Sequence, residues 1–224
     1  MGAASRLGSA PCGGSSTGTA SRVKKDRARH RTGPARHPRP PLELVRGQID
    51  LDPDRLIFID ETWASTKMAR RHGRCQRGQR LRAGVPHGYW KTTTFVAGLR
   101  NTDMVAPMVL DGPINREAFT AYVRQVLAPE IGPGDVVVMD NLSSHKGGDV
   151  REAIEAAGAT QLFLPPYSPD FNPIKKAFSK LKAHLRKAAE RTIHGLWDAI
   201  GRILDLHSPQ ECANYSTACG YDAA

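Results

Sequence analysis

No apolar stretch in this chain approaches the roughly 20 residues that a membrane-spanning helix needs. The longest apolar runs are Leu56–Ile59 and Val136–Met139. Cysteine is sparse: Cys12, Cys75, Cys212 and Cys219 form no CxxC pair, and no histidine stands beside them at zinc spacing. That excludes a zinc module and a disulfide scaffold, and it predicts reduced thiols with Cys212 and Cys219 unbridged. No apolar h-region follows the first arginines, so no signal peptide is expected. Arg6 stands where a myristoylation start wants Ser or Thr. There is no internal repeat. What is present is enough apolar material for one packed core: hydrophobic residues make up 40% of 224, which excludes disorder throughout.

Positive charge is plentiful but unevenly placed. The chain carries 32 Lys+Arg against 22 Asp+Glu, a formal net charge of +10. Residues 1–49 hold 10 Lys/Arg and 2 acids, a net of +8; residues 50–224 hold 22 and 20, a net of +2. The first 49 residues are rich in Gly, Ser, Pro and Arg and show neither a period of two nor a helical apolar pattern. They read as a disordered basic segment, a solvated tail in preference to a phosphate-binding arm. No helix-turn-helix pattern occurs in them. Residues 50–224 are expected to form the folded domain.

Along that domain, Leu56–Ile59 reads as a buried strand ending at Asp60. Thr92–Leu99 and Val105–Leu110 read as two further strands, the latter closed by the Asp111-Gly112-Pro113 turn. Ala118, Tyr122, Val123, Val126 and Leu127 recur at helical spacing, predicting a helix over 115–128. Asp135–Met139 is the clearest buried strand, ending at Asp140. A helix near 148–157 stops at Gly158, and Leu162–Leu164 is a short strand. Two helices, near 173–189 and 192–206, close the chain. The order predicts an α/β class with a mixed sheet flanked by helices.

Asp60 and Asp140 each follow an apolar strand, and open α/β sheets place their sites at such carboxyl ends. Neighbouring strands would bring the two carboxylates together. Two carboxylates repel unless a cation intervenes, and oxygen ligands without nearby His or Cys favour Mg²⁺ or Mn²⁺. Such a site suits metal-assisted phosphoryl transfer, in which two ions clamp the attacking and leaving oxygens. Glu61 points to the opposite face of the strand and reads as structural.

Three motifs carry a resemblance: Phe58-Ile-Asp60-Glu-Thr62, Val138-Met-Asp140-Asn-Leu-Ser-Ser-His145 and Leu164-Pro-Pro-Tyr-Ser-Pro-Asp-Phe-Asn-Pro-Ile174. Arg77-Gly-Gln-Arg80, Pro86-His-Gly88, Lys91-Thr-Thr-Thr94, Leu110-Asp-Gly-Pro113 and Glu211-Cys-Ala-Asn-Tyr215 accompany them. Together, from about Leu51 to Tyr221, they resemble a mariner-type DDE transposase of the bacterial insertion-sequence branch. The resemblance implies an RNase H-like catalytic domain and two Mg²⁺ (or Mn²⁺) ions held by three acids. It also implies cleavage of transposon-end DNA followed by strand transfer into target DNA. Asp60 and Asp140 match the first and second acids, as catalytic residues and metal ligands. The implied setting is the bacterial cytoplasm and nucleoid, with DNA as partner, a homodimer as assembly, and neither membrane nor small-molecule substrate.

The third acid belongs directly after Ile174, with residues 141–174, 34 in number, between it and Asp140. Lys175 stands there. On local grounds Asn172 is a good N-cap and Pro173 a good first helical residue, which makes Lys175 the position where Glu or Gln would complete a capping box. A protonated lysine has no lone pair for a metal. At 4 Å from Mg²⁺, with an effective dielectric near 20, repulsion amounts to roughly 8 kcal/mol. Activity is therefore expected to be impaired. Two alternatives stand beside that expectation: an inactive DNA-binding transposase remnant, and an RNase H-like nuclease on another substrate. Asp170 could substitute as a carboxylate but precedes the helix.

Other residues have expected roles. Ile174, Ala177, Phe178, Leu181, Leu185 and Ala188 make a core stripe, flanked by a ridge of Lys175, Ser179, Lys182 and Arg186. Lys67, Arg70, Arg71, Arg74, Arg77, Arg80 and Arg82 form a run without an acid, in a loop or hairpin marked by Gly73 and Gly78. Lys67, Arg70, Arg71, Arg74, Arg77, Arg80, Lys175, Lys182 and Arg186 are the candidate DNA contacts. Trp63, Tyr89 and Trp90 read as core packing, with stacking on splayed bases as the alternative. His145 reads as a plain loop histidine.

Overall fold

The computed structural model describes residues 51–221, apart from 79, 81, 83, 85, 143, 144 and 167. The expectation for residues 1–49 lies outside the described residues. Five strands form one sheet: β1 (Leu56–Ser65), β2 (Thr92–Leu99), β3 (Met104–Asp111), β4 (Val136–Met139) and β5 (Thr160–Phe163), in the order β3-β2-β1-β4-β5. β1 pairs antiparallel with β2 and β2 with β3, whereas β4 runs parallel to both β1 and β5. This is the mixed sheet that the sequence predicts.

The boundaries of β1 differ from the expectation. The apolar run stops at Ile59, but the strand continues to Ser65 because β2 pairs with it as far as Ser65↔Thr92. The ladder's hydrogen bonds do not depend on side-chain polarity, so pairing outlasts the hydrophobic pattern. Asp60 is thus within the strand rather than at its end. What stops beside it is β4, whose last rung is Ile59↔Met139. Asp60 and Asp140 are the next residue on each of two adjacent parallel strands.

Helices cover both faces of the sheet. α1 (Arg116–Tyr122) is capped by Asn115, whose Oδ1 accepts from Ala118 N–H at 2.8 Å. It then widens into a π-helical turn over Val123–Leu127 and tightens over Ala128–Glu130, so the helix expected over 115–128 is three segments. α2 (Gly148–Ala156) crosses from β4 to β5 and ends before Gly158, whose φ of 85° permits the reversal. Ile57, Ile59, Val137 and Met139 pack against Phe119 and Tyr122 of α1, Leu127 of the π-helical turn, and Val150 and Ile154 of α2. On the other face, Phe58, Phe95 and Val138 meet α3 (Ile174–Ala188), α4 (Ile193–Leu204) and α5 (Pro209–Thr217). Each large apolar side chain buried this way contributes about 1.5–3 kcal/mol.

α3 buries Ile174, Ala177, Phe178, Leu181 and Leu185 as its period predicts, but Ala188 at its last turn is exposed. α5 was not expected. Its nine residues bury only Cys212 and Ser216, too little apolar material to register as a period. Ser208 caps it and Pro209 opens it, which were the legible start signals. Cys212 and Cys219 are buried thiols that form no disulfide.

Candidate functional site

The site is built where β1 outruns β4. Asp60 lies on the face shared with Phe58 and turns its carboxylate toward the start of α3. It is buried, with 3% of its surface exposed. Its Oδ1 accepts from Glu61 N–H at 2.9 Å; its Oδ2 accepts from Asn172 Nδ2 at 3.0 Å and from Lys175 Nζ at 2.6 Å. Asn172 therefore does not cap α3 with its side chain, as the sequence suggests; its amide is drawn to the carboxylate instead. Lys175 is drawn to the same oxygen, which explains how a lysine is tolerated in a first helical turn that disfavours positive charge.

Burial pushes the Asp60 carboxyl above its ordinary value of 3.8. Lys175 pulls part of the way back, while Asp140 and Glu61 add repulsion that raises it. Asp140 behaves oppositely. Burial would raise it, but His145 and the Leu142 N–H, 3.3 Å from Oδ1, outweigh burial and hold it below 3.8.

His145 is the residue that sequence reasoning undervalued. It is fully buried and stacks on Phe119, with ring centroids 4.2 Å apart. Its Nε2 lies 3.1 Å from Glu61 Oε2 and its Nδ1 2.9 Å from Asp140 Oδ1. The Nδ1 contact is off the hydrogen-bond line and is chiefly ionic. Burial would lower the imidazole's pKa, but the two carboxylates raise it from 6.5 to about 9. His145 is therefore an imidazolium at neutral pH, joining Asp140 to Glu61 rather than lying idle in a loop. The missed signal was Glu61: with one carboxylate on each side of β1, a cation was needed on the Glu61 side too.

The basic candidates fall into two groups. Lys67, Arg70, Arg71, Arg74, Arg77, Arg80 and Arg82 are exposed on the excursion between β1 and β2. That excursion is closed at its base by Thr66 N–H to Lys91 O at 3.1 Å and Lys91 N–H to Thr66 Oγ1 at 3.1 Å. Arg191 ties it down, donating to the carbonyls of Thr66 and Met68 at 2.9 Å each. Lys175, Lys182 and Arg186 line one flank of α3 beside Ser179. A cleft of about 230 Å³ there is bordered by Asp60, Glu61, Thr62, Lys175, Phe178, Ser179 and Lys182. Burial lowers the Lys182 pKa, and Arg186, Arg71 and Lys175 lower it further against the pull of Asp60. Asp170 is exposed in the turn Pro169–Phe171, ahead of α3.

The donor set does not fit a pair of divalent ions. Among the described residues no three His, Cys, Asp or Glu side chains cluster as metal ligands. Asp60 Oδ2 is already engaged by an ammonium and an amide, and Asp140 Oδ1 by an imidazolium. Asn172 Oδ1 is buried without a protein partner, but it is a neutral oxygen and does not replace a third carboxylate.

A mixed sheet of this order, with helices on both faces, is an RNase H-like fold. Solved structures share it. The Mos1 transposase paired-end complex with left transposon end aligns with a TM-score of 0.64 at 17% identity, over 80% of this chain and 56% of that one. The mariner Mos1 paired-end complex with Mg aligns at 0.62 and 16%, over the same shares. The catalytic domain of Mos1 mariner transposase aligns at 0.54 and 14%, over 80% of this chain and 83% of that one. At these identities the likeness establishes the fold. The chain spans 56% of the Mos1 transposase chain in its complexes. No curated protein matches it. Residues 55–195 match the DDE superfamily endonuclease family, and the chain belongs to that family.

Proposed function

We propose that this is the catalytic domain of an insertion-sequence transposase that still binds DNA but whose strand cleavage is lost or severely impaired. The observation that carries the reading is the Lys175 ammonium, 2.6 Å from the Asp60 carboxylate, where a cleaving site of this class needs a divalent ion. In this reading Asp60 and Asp140 are the first two acids and Lys175 stands in the place of the third. A single positive charge holds Asp60 but offers no open coordination position, so it activates neither water nor a 3′-OH. The remaining surface supports binding. Lys175 and Lys182 border the cleft, Arg186 continues their flank, and the exposed cations of the β1–β2 excursion add charge of the sign that phosphates attract.

The partner we assign is DNA, as transposon ends and as target. Homologous Mos1 structures are solved as paired-end and strand-transfer complexes. A homodimer in the bacterial cytoplasm, on the nucleoid, completes the proposal. No helix among the described residues is long and apolar enough to cross a membrane.

The test pairs the protein with Lys175→Glu and with Asp140→Ala. Each is assayed for nicking of supercoiled plasmid in Mg²⁺ or Mn²⁺, and for binding to a labelled duplex across a salt series. The expected result is salt-sensitive duplex binding by all three, no nicking by the unmodified protein, and nicking by Lys175→Glu. Nicking by the unmodified protein that disappears in Asp140→Ala overturns the impairment. Absence of duplex binding at low salt overturns the DNA reading.

A further inference from the structure

Sequence logic assigns Trp63, Tyr89 and Trp90 to the core, and the structure contradicts it. Trp63 is 56% exposed, Trp90 54%, and Tyr89 wholly exposed. Two of these rings are paired with cations. Lys182 Nζ stands 4.9 Å from the Trp63 ring centroid, and Lys67 Nζ stands 4.0 Å from that of Trp90. Both pairs belong to the same end of the β1–β2 ribbon. Trp63 is opposite Thr94, and Trp90 lies just beyond the last rung, Ser65↔Thr92. Trp63 stands three residues beyond Asp60 on β1, an odd spacing that turns the two side chains to opposite faces of a regular strand, so what links them is Lys182 rather than the strand. Lys182, the cation over Trp63, borders the same cleft as Asp60 and Lys175.

An exposed indole is costly to keep in water, and here it is backed by an ammonium on a helix crowded with like charge. A flat, electron-rich ring with phosphate-seeking cations beside it suits a nucleobase whose own stacking partners are gone. A base within duplex DNA cannot offer its face to such a ring; an unpaired one can. We propose that Trp63, with Lys182 over it, is a stacking site for an unpaired nucleotide of DNA beside the Asp60 cleft, and that Trp90 with Lys67 extends the platform. This rests on the DNA-binding reading above and deepens it. The duplex is held by its phosphates, whereas a strand end or frayed base is held by Trp63. Lys182 has two roles in one position, capping one side of the indole and reaching the phosphate of the stacked nucleotide.

The experiment uses the full chain and three labelled probes of one sequence: a single strand, a blunt duplex, and the duplex with a single-stranded overhang. Trp63→Ala is compared with Trp63→Phe, which keeps an aromatic face. Stacking contributions per base predict that Trp63→Ala weakens single-strand and overhang binding by roughly five- to a hundredfold and leaves blunt-duplex binding within about twofold. Trp63→Phe restores most of the loss. Equal weakening on all three probes, or unchanged overhang binding in Trp63→Ala, overturns the proposal while leaving the DNA reading intact. Failure of the unmodified protein to bind any probe overturns both. A change of oligomeric state in Trp63→Ala, read by sedimentation, assigns the ring to a subunit contact and also overturns it.

Discussion

Raising the pH removes the charge that ties Asp140 to Glu61, and the consequence can be worked out from His145 alone. Its imidazole is raised from 6.5 to about 9 in the folded protein. A base whose folded pKa exceeds its unfolded value adds stability that is fully present below the unfolded pKa and lost as pH rises through the folded one. The window here is therefore pH 6.5 to 9. A rise from 6.5 to about 9 corresponds to about 3 kcal/mol. The depressed pKa of Asp140 is the same ion pair seen from its other member, so it is not added again. For a domain of this size that loss lowers Tm by roughly 6–12 °C. Urea unfolding at pH 6 and at pH 9.5 measures it directly, with His145→Gln as the variant in which the difference shrinks. Because that variant leaves two carboxylates without their cation and could fail to fold, NMR titration of the His145 ring in the unmodified protein provides the second readout. An imidazole titrating near 6.5, or stability flat across the window, would refute the assignment of His145 as a structural cation.

Two further substitutions test the packing that frames the site. A Cβ added at Gly98 would lie 2.9 Å from Ile59 Cδ1 and from Val105 Cγ2 and 3.1 Å from Ile57 Cγ2, in the middle of the sheet. Gly98→Ala should therefore destabilise by about 1–3 kcal/mol in urea unfolding, through overpacking beside the strand that carries Asp60. Ala189 ends α3 with φ 55° and ψ 39°, a left-handed cap that glycine adopts without strain. Ala189→Gly should raise stability by about 1 kcal/mol in the same assay, with DNA binding unchanged.

Much of this arrangement was legible in the sequence, because the sheet's central strands are continuous apolar runs. Leu56–Ile59 and Val136–Met139 announced themselves, and their adjacency brought Asp60 and Asp140 together. What was not legible depends on partners distant in the chain. The extension of β1 beyond Asp60 is set by β2, and no periodicity within β1 reveals it. The orientation of Asn172 is decided by Asp60, 112 residues away, in competition with a local capping bond. His145 and Glu61 are 84 residues apart, and neither alone shows that it needs the other. The three exposed aromatics were misread for a different reason. Ring size predicts burial on average, and a site that keeps rings in water departs from the average.

The proposal that the sign of charge at position 175 governs what the cleft holds can be tested on metal binding alone. Around that position the described groups are Asp60, Asp140 and Glu61, offset by Lys175, Lys182 and the His145 imidazolium. Three negative and three positive charges leave a net of about zero, which gives a divalent ion little to neutralise. Lys175→Glu changes that net to about −2 and removes the partner of a buried carboxylate. Breaking a fully buried pair costs about 3–5 kcal/mol. The Lys175 side chain is 42% exposed, so screening reduces this to about 1–3 kcal/mol. The metal-free variant should therefore melt below the unmodified protein. Its three carboxylates now suit Mg²⁺ or Mn²⁺, and ligand at a hundred times its Kd returns about 2.7 kcal/mol. Thermal unfolding with and without millimolar Mn²⁺ reads both terms without any demand on catalysis. The expected pattern is a Mn²⁺-dependent rise in Tm for Lys175→Glu, none for the unmodified protein, and none for Lys175→Glu combined with Asp60→Asn. An equal rise in the unmodified protein would show that the ammonium does not exclude the ion. No rise in Lys175→Glu would show that something other than the sign at this position keeps metal out.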